Sequence, residues 1–321
     1  MVSHSPEGRA RTALITGSGG FVGPHLAREL LAHGWRVVGV DHAERPADLP
    51  AEVDHRRLDL LDPEAVATLP RADAVVHLAG LSSVPESFRE PQRYLAVNTG
   101  LVTTLGEELL RRGDPVRWLV VSTGALYDAR APQPLDEDAP LACASPYAVS
   151  KAATELQVDY YVRRGLDAVV VRPFNHIGPG QRPGFLLPDL VRGLLDAHAT
   201  GEPMRVGDLT TARDYTDVRD VCRAYRLLLE APALPTDRVR RVNVASGRPT
   251  TGRRLLELAA QAAGVPVPAV VVDPDRLRPT DAATIAGDAS ALHAATGWEP
   301  VVPLERTVAD VVAPLLAGSR S

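Results

Sequence analysis

The 321-residue sequence predicts an α/β protein built on a doubly wound parallel sheet. In the first half of the chain, short β-branched runs alternate with stretches of helical periodicity. This is the order expected of parallel strands joined by right-handed crossovers. From Pro173 onward prolines cluster and the alternation weakens. We therefore expect a smaller, irregular region over the C-terminal edge of the sheet, where open α/β folds bind ligands.

The predicted elements alternate along the chain. Short apolar runs predict strands at 12–15, 35–40, 56–58, 74–78, 118–121 and 168–171. Helical spacing, with Pro or Gly at the boundaries, predicts helices at 21–33, after Pro63, at about 91–112 and at 146–164. Strands that alternate with helical crossovers in this way are what a parallel sheet requires.

Composition excludes several classes of protein. The chain is 45% hydrophobic and 23% charged, which is ordinary for a globular domain. Its net charge of −5 gives no general attraction to nucleic acid or to an anionic membrane. No apolar run is long enough to span a membrane, and residues 1–11 lack a signal-peptide core. The two cysteines and the scattered histidines form no metal-ligand pattern, so we predict no metal and a cytoplasmic location.

A glycine-rich stretch joins the first predicted strand to the first predicted helix. Gly17, Gly20 and Gly23 form a G-x-x-G-x-x-G pattern in the context that dinucleotide binding requires. Gly17 would allow the tight turn, Gly20 would let backbone approach a pyrophosphate, and Gly23 would let the helix pack on the strand. A turn that merely needs glycines is the alternative. The predicted cofactor contacts in this loop are Gly17, Gly19, Gly20, Phe21, Val22 and Gly23.

Asp41 follows the second strand, 24 residues after Gly17. A carboxylate at this point can accept hydrogen bonds from the adenosine ribose, and it repels a 2′-phosphate. The sequence therefore favours NAD(H) over NADP(H), with Asp41 and His42 as cofactor contacts. Arg45 is close enough in sequence to reach a phosphate, so NADP(H) stays possible.

Tyr147 and Lys151 lie at positions i and i+4 of a predicted helix, and therefore on one face. A nearby ammonium stabilises a phenolate, so we expect Lys151 to lower the pKa of Tyr147 and make it a usable acid or base. Ser122 and Thr123 end a strand at the same sheet edge, where a hydroxyl can polarise a carbonyl. Alone, the Tyr–Lys spacing is also typical of an ordinary amphipathic helix surface.

Together these motifs make the chain similar to the extended short-chain dehydrogenase/reductase family, the nucleotide-sugar epimerases, dehydratases and reductases. The resemblance covers about residues 12–312 and implies a Rossmann-type sheet, a nicotinamide cofactor and catalysis by Thr123, Tyr147 and Lys151. Tyr147 and Lys151 would also contact the cofactor. Family positions by the adenine, along the cofactor or supporting the site correspond to Asp59, Leu60, Leu78, Ala79, Gly80 and Asn98.

The resemblance also suggests how the chain is divided. Residues 12–172 would form the dinucleotide-binding domain, whose core continues into later segments. Residues 173–316 would mainly bind a sugar nucleotide, and 1–11 and 317–321 would be tails. Family members often form homodimers through the helices at 91–112 and 146–164. A homodimer is therefore expected, although the apolar stripes of these helices could instead pack on their own sheet.

The strand-end motif narrows the reaction. The family's dehydratases carry Thr-x-Glu there, with the Glu driving water elimination, whereas this chain has Thr123-Gly124-Ala125. Dehydration is therefore disfavoured, and ketone reduction or 4-epimerisation is left. A non-catalytic dinucleotide-binding regulator on the same fold is a further alternative, against which the intact Tyr–Lys pair argues.

The second half most resembles the GDP-4-keto-6-deoxymannose reductases, which yield GDP-rhamnose. The similar segments are 172–181, 206–209, 213–220, 276–281 and 297–300. Asp208 stands where Asn is usual, which leaves the sugar and the base open. The resemblance implies a nucleotide-diphosphate sugar, whose charge suits arginine. The implied substrate contacts are Thr123, Asn175, Leu187, Val191, Arg213 and Arg278. For Arg213, between two aspartates, a surface ion pair is the alternative.

Overall fold

A computed structural model describes residues 10–232, 240–276 and 282–318. Its largest sheet has seven strands: β1 (Thr12–Thr16), β2 (Arg36–Asp41), β3 (Asp54–Arg57), β4 (Ala74–His77), β5 (Arg117–Val121), β6 (Asp167–Pro173) and β10 (Arg240–Val244). The strand order is β10-β6-β5-β4-β1-β2-β3, and every pair is parallel. The doubly wound parallel sheet is confirmed, with β3 and β10 as its edges.

Helices cover both faces of this sheet. One face carries α1 (Val22–Ala32), α7 (Val218–Glu230) and α9 (Ser290–Thr296), which share one apolar core. The other carries α2 (Pro63–Ala67), α4 (Pro91–Arg112) and α5 (Pro146–Arg163), which share a second core. A short helix, α3 (Val84–Arg89), packs near α4 and α5 and was not predicted. None of the helices in the described ranges is long and apolar enough to cross a membrane.

The second half builds a third core and a small sheet. The core joins α6 (Leu186–Thr200), α8 (Gly252–Ala263) and α10 (Leu304–Gly318) to the strand pair β8 (Met204–Val206) and β12 (Val270–Val272). The small sheet contains β7 (Asn175–Ile177), β9 (Ala212–Asp217), β11 (Pro249–Thr251) and β13 (Thr284–Ile285). This half is more regular than the sequence predicts, and α7 and β10 return to the main sheet.

Chain continuity places the small sheet at the C-terminal edge of the large one. β7 follows β6 after one residue, and β11 follows β10 after a short turn. The buried carboxylate of Asp214 on β9 accepts hydrogen bonds from the backbone N–H groups of Ser246, Gly247 and Gly287. These bonds fix the small sheet above the ends of β6 and β10, beside the residues that the sequence predicts to be functional.

Candidate active site

The glycine loop between β1 and α1 has the close packing that its glycines predict. Gly17 has a φ of +70°, and a Cβ there would lie 2.8 Å from the backbone nitrogen of Ala79. A Cβ on Gly23 would collide with the carbonyl of Ser18. Gly20 is exposed, and its N–H donates to the Gly17 carbonyl at 3.0 Å. The exposed backbone at Gly20, next to the first turn of α1, suits a phosphate group.

Asp41 is buried at the end of β2 and is fixed by the same loop. Its carboxylate accepts hydrogen bonds from the N–H of Gly19 at 2.9 Å and from the N–H of Ala43 at 3.0 Å. His42 is exposed, with Nδ1 3.2 Å from the Asp41 carboxylate. The carboxylate therefore lies beside the glycine loop, where the ribose of a dinucleotide held by that loop would meet it.

Arg45 is directed away from this carboxylate. Its guanidinium donates to the carbonyls of Val53 at 2.9 Å and Leu49 at 3.3 Å, and also to the carbonyl of Pro50. In this structure the side chain is thus engaged by the following loop. The position of Arg45 does not support the expectation that this side chain could reach a phosphate. The argument for NADP(H) that was based on Arg45 therefore falls away.

The remaining cofactor candidates lie along the ends of β3 and β4. Asp59 is exposed and accepts from the N–H of Leu61 at 2.9 Å, while the side chain of Leu60 turns into the core. Leu78 and Ala79 are partly buried; the Ala79 N–H donates to the Thr16 hydroxyl at 3.3 Å. Asp59, Leu78 and Ala79 form a rim with the glycine loop, and the buried side chain of Leu60 does not contribute to it.

Asn98 of α4 links this rim to α5. Its side chain accepts from the N–H of Leu81 at 2.8 Å and donates to the Ser150 hydroxyl at 2.9 Å. Gly80 has a φ of +153°, and a Cβ there would lie 3.0 Å from the Asn98 amide oxygen. Asn98 therefore holds the backbone of the rim at Gly80 and Leu81 from its position on α4. This is the supporting role that the resemblance implies for it.

Tyr147 and Lys151 lie on one buried face of α5. The helix begins after Ser145, whose hydroxyl accepts from the Ala148 N–H at 3.1 Å, and Pro146 occupies its first turn. Lys151 Nζ donates to the carbonyl of Val121 at 2.8 Å, at the end of β5. Because α5 packs across the strand ends, both side chains reach the C-terminal edge of the sheet.

Burial controls the acid–base character of this pair. It raises the pKa of Tyr147, and a hydrogen bond with Thr123 only partly opposes the rise. It also lowers the pKa of Lys151 to about 8, against the opposing field of Glu155. Desolvation of the phenol is the largest effect on Tyr147, and the expectation that Lys151 lowers the pKa of Tyr147 stays a prediction.

The two strand-end hydroxyls have different partners. Thr123 contacts Tyr147 as described, and it also accepts from the Ala125 N–H at 3.1 Å. The buried Ser122 hydroxyl instead donates to the Glu155 carboxylate at 2.6 Å. Only Thr123 is thus positioned to act with Tyr147 on a substrate oxygen.

The position of the dehydratase acid carries no ionisable group. Ala125 is exposed, and a Cβ on Gly124 would lie 3.1 Å from the ring of Phe174. A Cβ on Gly287 would collide with the same ring from another side. The ring of Phe174 is therefore packed closely against two glycines.

The substrate candidates fall into two groups. Asn175 is exposed on β7, opposite Tyr215, and Arg213 lies two residues earlier on the same face of β9. Arg213 donates to the carbonyls of Ala212 at 2.7 Å and Ala282 at 2.9 Å. The small sheet therefore brings Asn175 and Arg213 to the same surface. Arg278 lies outside the described residues.

Leu187 and Val191 do not line this surface. Both side chains on α6 are fully buried in the third core, where their neighbours are apolar side chains of the second half. A side chain without accessible surface offers no contact to a ligand, so the prediction that they form walls for a base is wrong for this conformation. Helical apolar spacing identified buried positions correctly, but it could not tell a core from a pocket.

Sequence reasoning missed two contributors to the site. Glu155 lies one turn beyond Lys151 and joins α5 to three strands, as described below. His176 stacks on Phe21 with ring centroids 5.9 Å apart, connecting the start of α1 to β7. The i, i+4, i+8 spacing of Tyr147, Lys151 and Glu155 could have identified Glu155 from the sequence. The position of His176 depends on a contact between distant segments, which no local spacing indicates.

Comparisons with known proteins agree with this geometry. A model of the NAD dependent epimerase/dehydratase family matches residues 13–245. A GDP-6-deoxy-D-mannose reductase of Pseudomonas aeruginosa is 36% identical over 92% of this chain and 93% of its own. A UDP-glucose 4-epimerase of Azospirillum brasilense is 32% identical over 89% of this chain and 86% of its own.

A solved structure has the same fold over nearly its whole length. The structure of RMD from Pseudomonas aeruginosa, complexed with NADPH, is 33% identical and superposes with a TM-score of 0.83, covering 97% of this chain and 100% of that one. The family match spans the large sheet, the glycine loop and the Tyr–Lys helix described above. The chain therefore belongs to the NAD dependent epimerase/dehydratase family, whose enzymes use a nicotinamide dinucleotide.

Proposed function

We propose that this enzyme reduces a nucleotide-diphospho-4-keto-6-deoxysugar at C4 with a reduced nicotinamide dinucleotide. The observation that carries the proposal is the position of the Tyr147 phenol, which is buried next to Lys151 at the sheet edge and hydrogen-bonded with Thr123. A phenol is protonated at neutral pH. A phenol in that state is a proton donor, which is what the reduction of a ketone requires. The similarity to a GDP-6-deoxy-D-mannose reductase supports the sugar class.

The chain's own residues supply the acid chemistry. A bound reduced nicotinamide would supply the hydride for the C4 carbonyl. Tyr147 donates its proton to the oxygen of that carbonyl as negative charge develops there, and Thr123 donates a hydrogen bond to the same oxygen. Lys151 stabilises the phenolate left on Tyr147, which regains its proton from solvent before the next turnover.

The small sheet suits the diphosphate of such a substrate. A guanidinium can make two parallel hydrogen bonds to phosphate oxygens, and the Asn175 amide can donate a further one. Arg213 and Asn175 lie on the same face of the small sheet. We propose both as substrate contacts, together with Arg278 on the strength of the sequence pattern alone.

We propose NADH as the preferred cofactor. The support is the buried carboxylate of Asp41 beside the glycine loop and the engagement of Arg45 by carbonyl groups. The relative bound to NADPH makes NADPH the comparison to test. Replacing Asp41 with Ala should raise the Kd for NADH by about tenfold or more, since a charge-assisted hydrogen bond contributes about 1.5–3 kcal/mol.

A 4-epimerase is the second candidate, favoured by the similarity to UDP-glucose 4-epimerases. It would use the same three residues, first to oxidise the alcohol and then to reduce the ketone. The two reactions differ in their demand for cofactor. A purified epimerase should release tightly held NAD on denaturation and need none added, whereas a reductase should consume one NADH per ketone.

The decisive experiment supplies GDP-, dTDP- and UDP-linked 4-keto-6-deoxysugars and follows NADH oxidation at 340 nm. We expect stoichiometric NADH consumption with at least one of them, and the GDP-linked substrate to turn over fastest. Interconversion of UDP-glucose and UDP-galactose without added cofactor would instead establish the epimerase. If neither activity is found, the proposed substrate class is wrong.

We also propose a homodimer formed by α4 and α5. Large apolar side chains are exposed on these two helices at Leu95, Val149, Leu156 and Tyr160. Such clustered exposure on two adjacent helices is typical of an interface. The alternative that these stripes pack only on their own sheet accounts for the buried side chains but not for the exposed ones.

A further inference from the structure

A buried carboxylate lies on α5 just beyond the catalytic pair. Glu155 is 4% exposed and accepts four hydrogen bonds. Ser122 and Arg172 Nε donate to one oxygen, at 2.6 Å and 2.9 Å. Arg172 Nη2 and Arg241 Nε donate to the other, at 2.7 Å and 2.8 Å. All acceptor positions of this carboxylate that face the sheet are therefore engaged.

The three donors come from three different strands. Ser122 follows β5, Arg172 belongs to β6 and Arg241 belongs to β10. Glu155 thus joins one point of α5 to the C-terminal ends of β5 and β6 and to the second residue of β10. A helix joined at one point to three strands has a fixed rotation and a fixed position along its axis.

This point lies on the same helical face as the catalytic pair. Tyr147, Lys151 and Glu155 are spaced by four residues, so they follow one another along α5. Lys151 donates to the carbonyl of Val121, whose neighbour Ser122 donates to Glu155. A displacement of Glu155 would therefore move Tyr147 relative to Thr123, and Lys151 relative to the end of β5.

We propose that Glu155 is a positioning residue for catalysis: by accepting hydrogen bonds from Ser122, Arg172 and Arg241, it sets the placement of Tyr147 and Lys151 against Thr123. This inference rests on the proposed function for the roles of Tyr147 and Lys151. It goes further by giving Glu155 and Ser122, neither of which reaches the substrate, a defined effect on the reaction.

The charge of Glu155 also acts on Lys151. Burial alone would lower the pKa of Lys151 further, and Glu155 opposes it. The charged and titratable groups around Lys151 are Tyr147 and Glu155 on its own helix, His77 at the end of β4, and, through the Glu155 cluster, Arg172 and Arg241 on β6 and β10. His77 stays neutral because burial lowers its pKa to about 3, so Glu155 is the anion that offsets the two arginines.

The sequence offers a direct readout, because Lys151 is the only lysine in the chain. Protein grown with 13C-labelled lysine would give a single side-chain signal, whose pH titration reports the pKa of Lys151 without any substrate. The variant is Glu155→Gln. The matched control is Asp159→Asn, which removes a carboxylate one turn further along α5 that pairs with Arg241 only at the outer side of the cluster.

For Glu155→Gln we expect the Lys151 midpoint to fall by about one pH unit, because an anion a few ångströms away is lost. Arg172 then loses its carboxylate partner, and Arg241 keeps Asp159. The high-pH limb of kcat should move down with it. We expect kcat to fall by about 100-fold, the effect of a small misplacement, with KM changed less than about threefold. For Asp159→Asn we expect a kcat within about twofold of wild type and a Lys151 midpoint within a few tenths of a pH unit of wild type.

Equal titrations and equal kcat for the two variants would overturn the proposal. If Glu155→Gln does not fold, Ser122→Ala tests the proposal instead, because it removes only one neutral hydrogen-bond donor to Glu155. A fall in kcat of threefold or more at unchanged KM would support the proposal. A wild-type kcat would contradict it. Should wild-type protein reduce no ketone tested, the proposed function fails. The Lys151 titration then still decides whether Glu155 controls this amine.

Discussion

At the scale of single residues, burial determines the chemistry of the site more than the neighbours visible in the sequence. The Tyr147–Lys151 spacing identified both side chains, and the structure brings them to the sheet edge where the pattern predicts. The sequence could not give the direction of the Tyr147 pKa, because desolvation depends on what α5 packs against. A raised pKa keeps the phenol protonated and also makes it a weaker acid, so the direction of the reaction has to be measured.

We expect Tyr147→Phe to lower kcat by about 10²- to 10⁴-fold, because a positioned proton donor contributes about that much. The ring remains, so packing and NADH affinity should change little. Stopped-flow NADH oxidation and a fluorescence titration of NADH would measure the two effects separately. Near-normal turnover would show that another group donates the proton.

A second residue-scale prediction concerns acid stability. His77 is buried, its Nδ1 lies 2.9 Å from the Thr16 hydroxyl, and its pKa is lowered to about 3. The unfolded chain takes up a proton at this histidine near pH 6.5, whereas the folded protein does so only near pH 3. Stability from the neutral imidazole is therefore complete above pH 6.5 and is lost as the pH falls towards 3, by at most about 1.4 kcal/mol per pH unit.

In His77→Gln this contribution should be missing. Urea unfolding at several values between pH 4 and pH 7 would show a shallower decrease in the free energy of unfolding than in wild type. The exposed His198→Gln variant is the control and should follow the wild-type slope. Identical slopes for His77→Gln and wild type would mean that other groups cause the acid sensitivity.

At the scale of elements, the regular alternation of the first half was predictable and the second half was not. The helix predicted at about 91–112 spans Pro91–Arg112, because its caps and its apolar spacing are all local. Pro188, in contrast, belongs to the proline-rich stretch after Pro173 that the sequence predicts to be irregular, yet it lies in the first turn of α6. The first N–H groups of a helix have no partner within it, so proline is tolerated there.

The glycine loop gives a prediction at this scale. Gly23→Ala should lower the free energy of unfolding by about 1–3 kcal/mol, because the added methyl group collides with the Ser18 carbonyl and α1 must shift. Gly20→Ala places its methyl group 3.2 Å from the Gly17 carbonyl and otherwise in the open, so it should affect NADH binding more than folding. Urea unfolding and NADH titration of both variants would separate the two roles.

At the scale of the molecule, carboxylates hold segments that are far apart in the sequence. The Asp220 carboxylate on α7 accepts from the N–H groups of Val301 and Val302, and its backbone carbonyl accepts from the Trp298 indole. The Thr307 hydroxyl donates to Asp217 at 2.6 Å. Contacts between residues 78 to 90 positions apart leave no periodic trace in a single sequence, so the placement of the last helices could not be foreseen.

The proposed homodimer is tested at this scale. Leu156 is 67% exposed on α5, and Leu156→Glu should yield a monomer, since two carboxylates would be buried across the twofold interface. Light scattering after size exclusion would measure the mass. Arg163→Glu, at the exposed end of the same helix, controls for the change in charge. A wild-type monomer would contradict the proposal.

The β3 edge of the large sheet has a consequence for how the protein behaves in concentrated solution. The edge strand β3 consists of Asp54, His55, Arg56 and Arg57, whereas the inner strands are rich in valine. An unpaired strand edge is a template for strand addition by another chain, and charged side chains oppose that pairing. The short, charged β3 should therefore protect a very apolar parallel sheet from growing into aggregates.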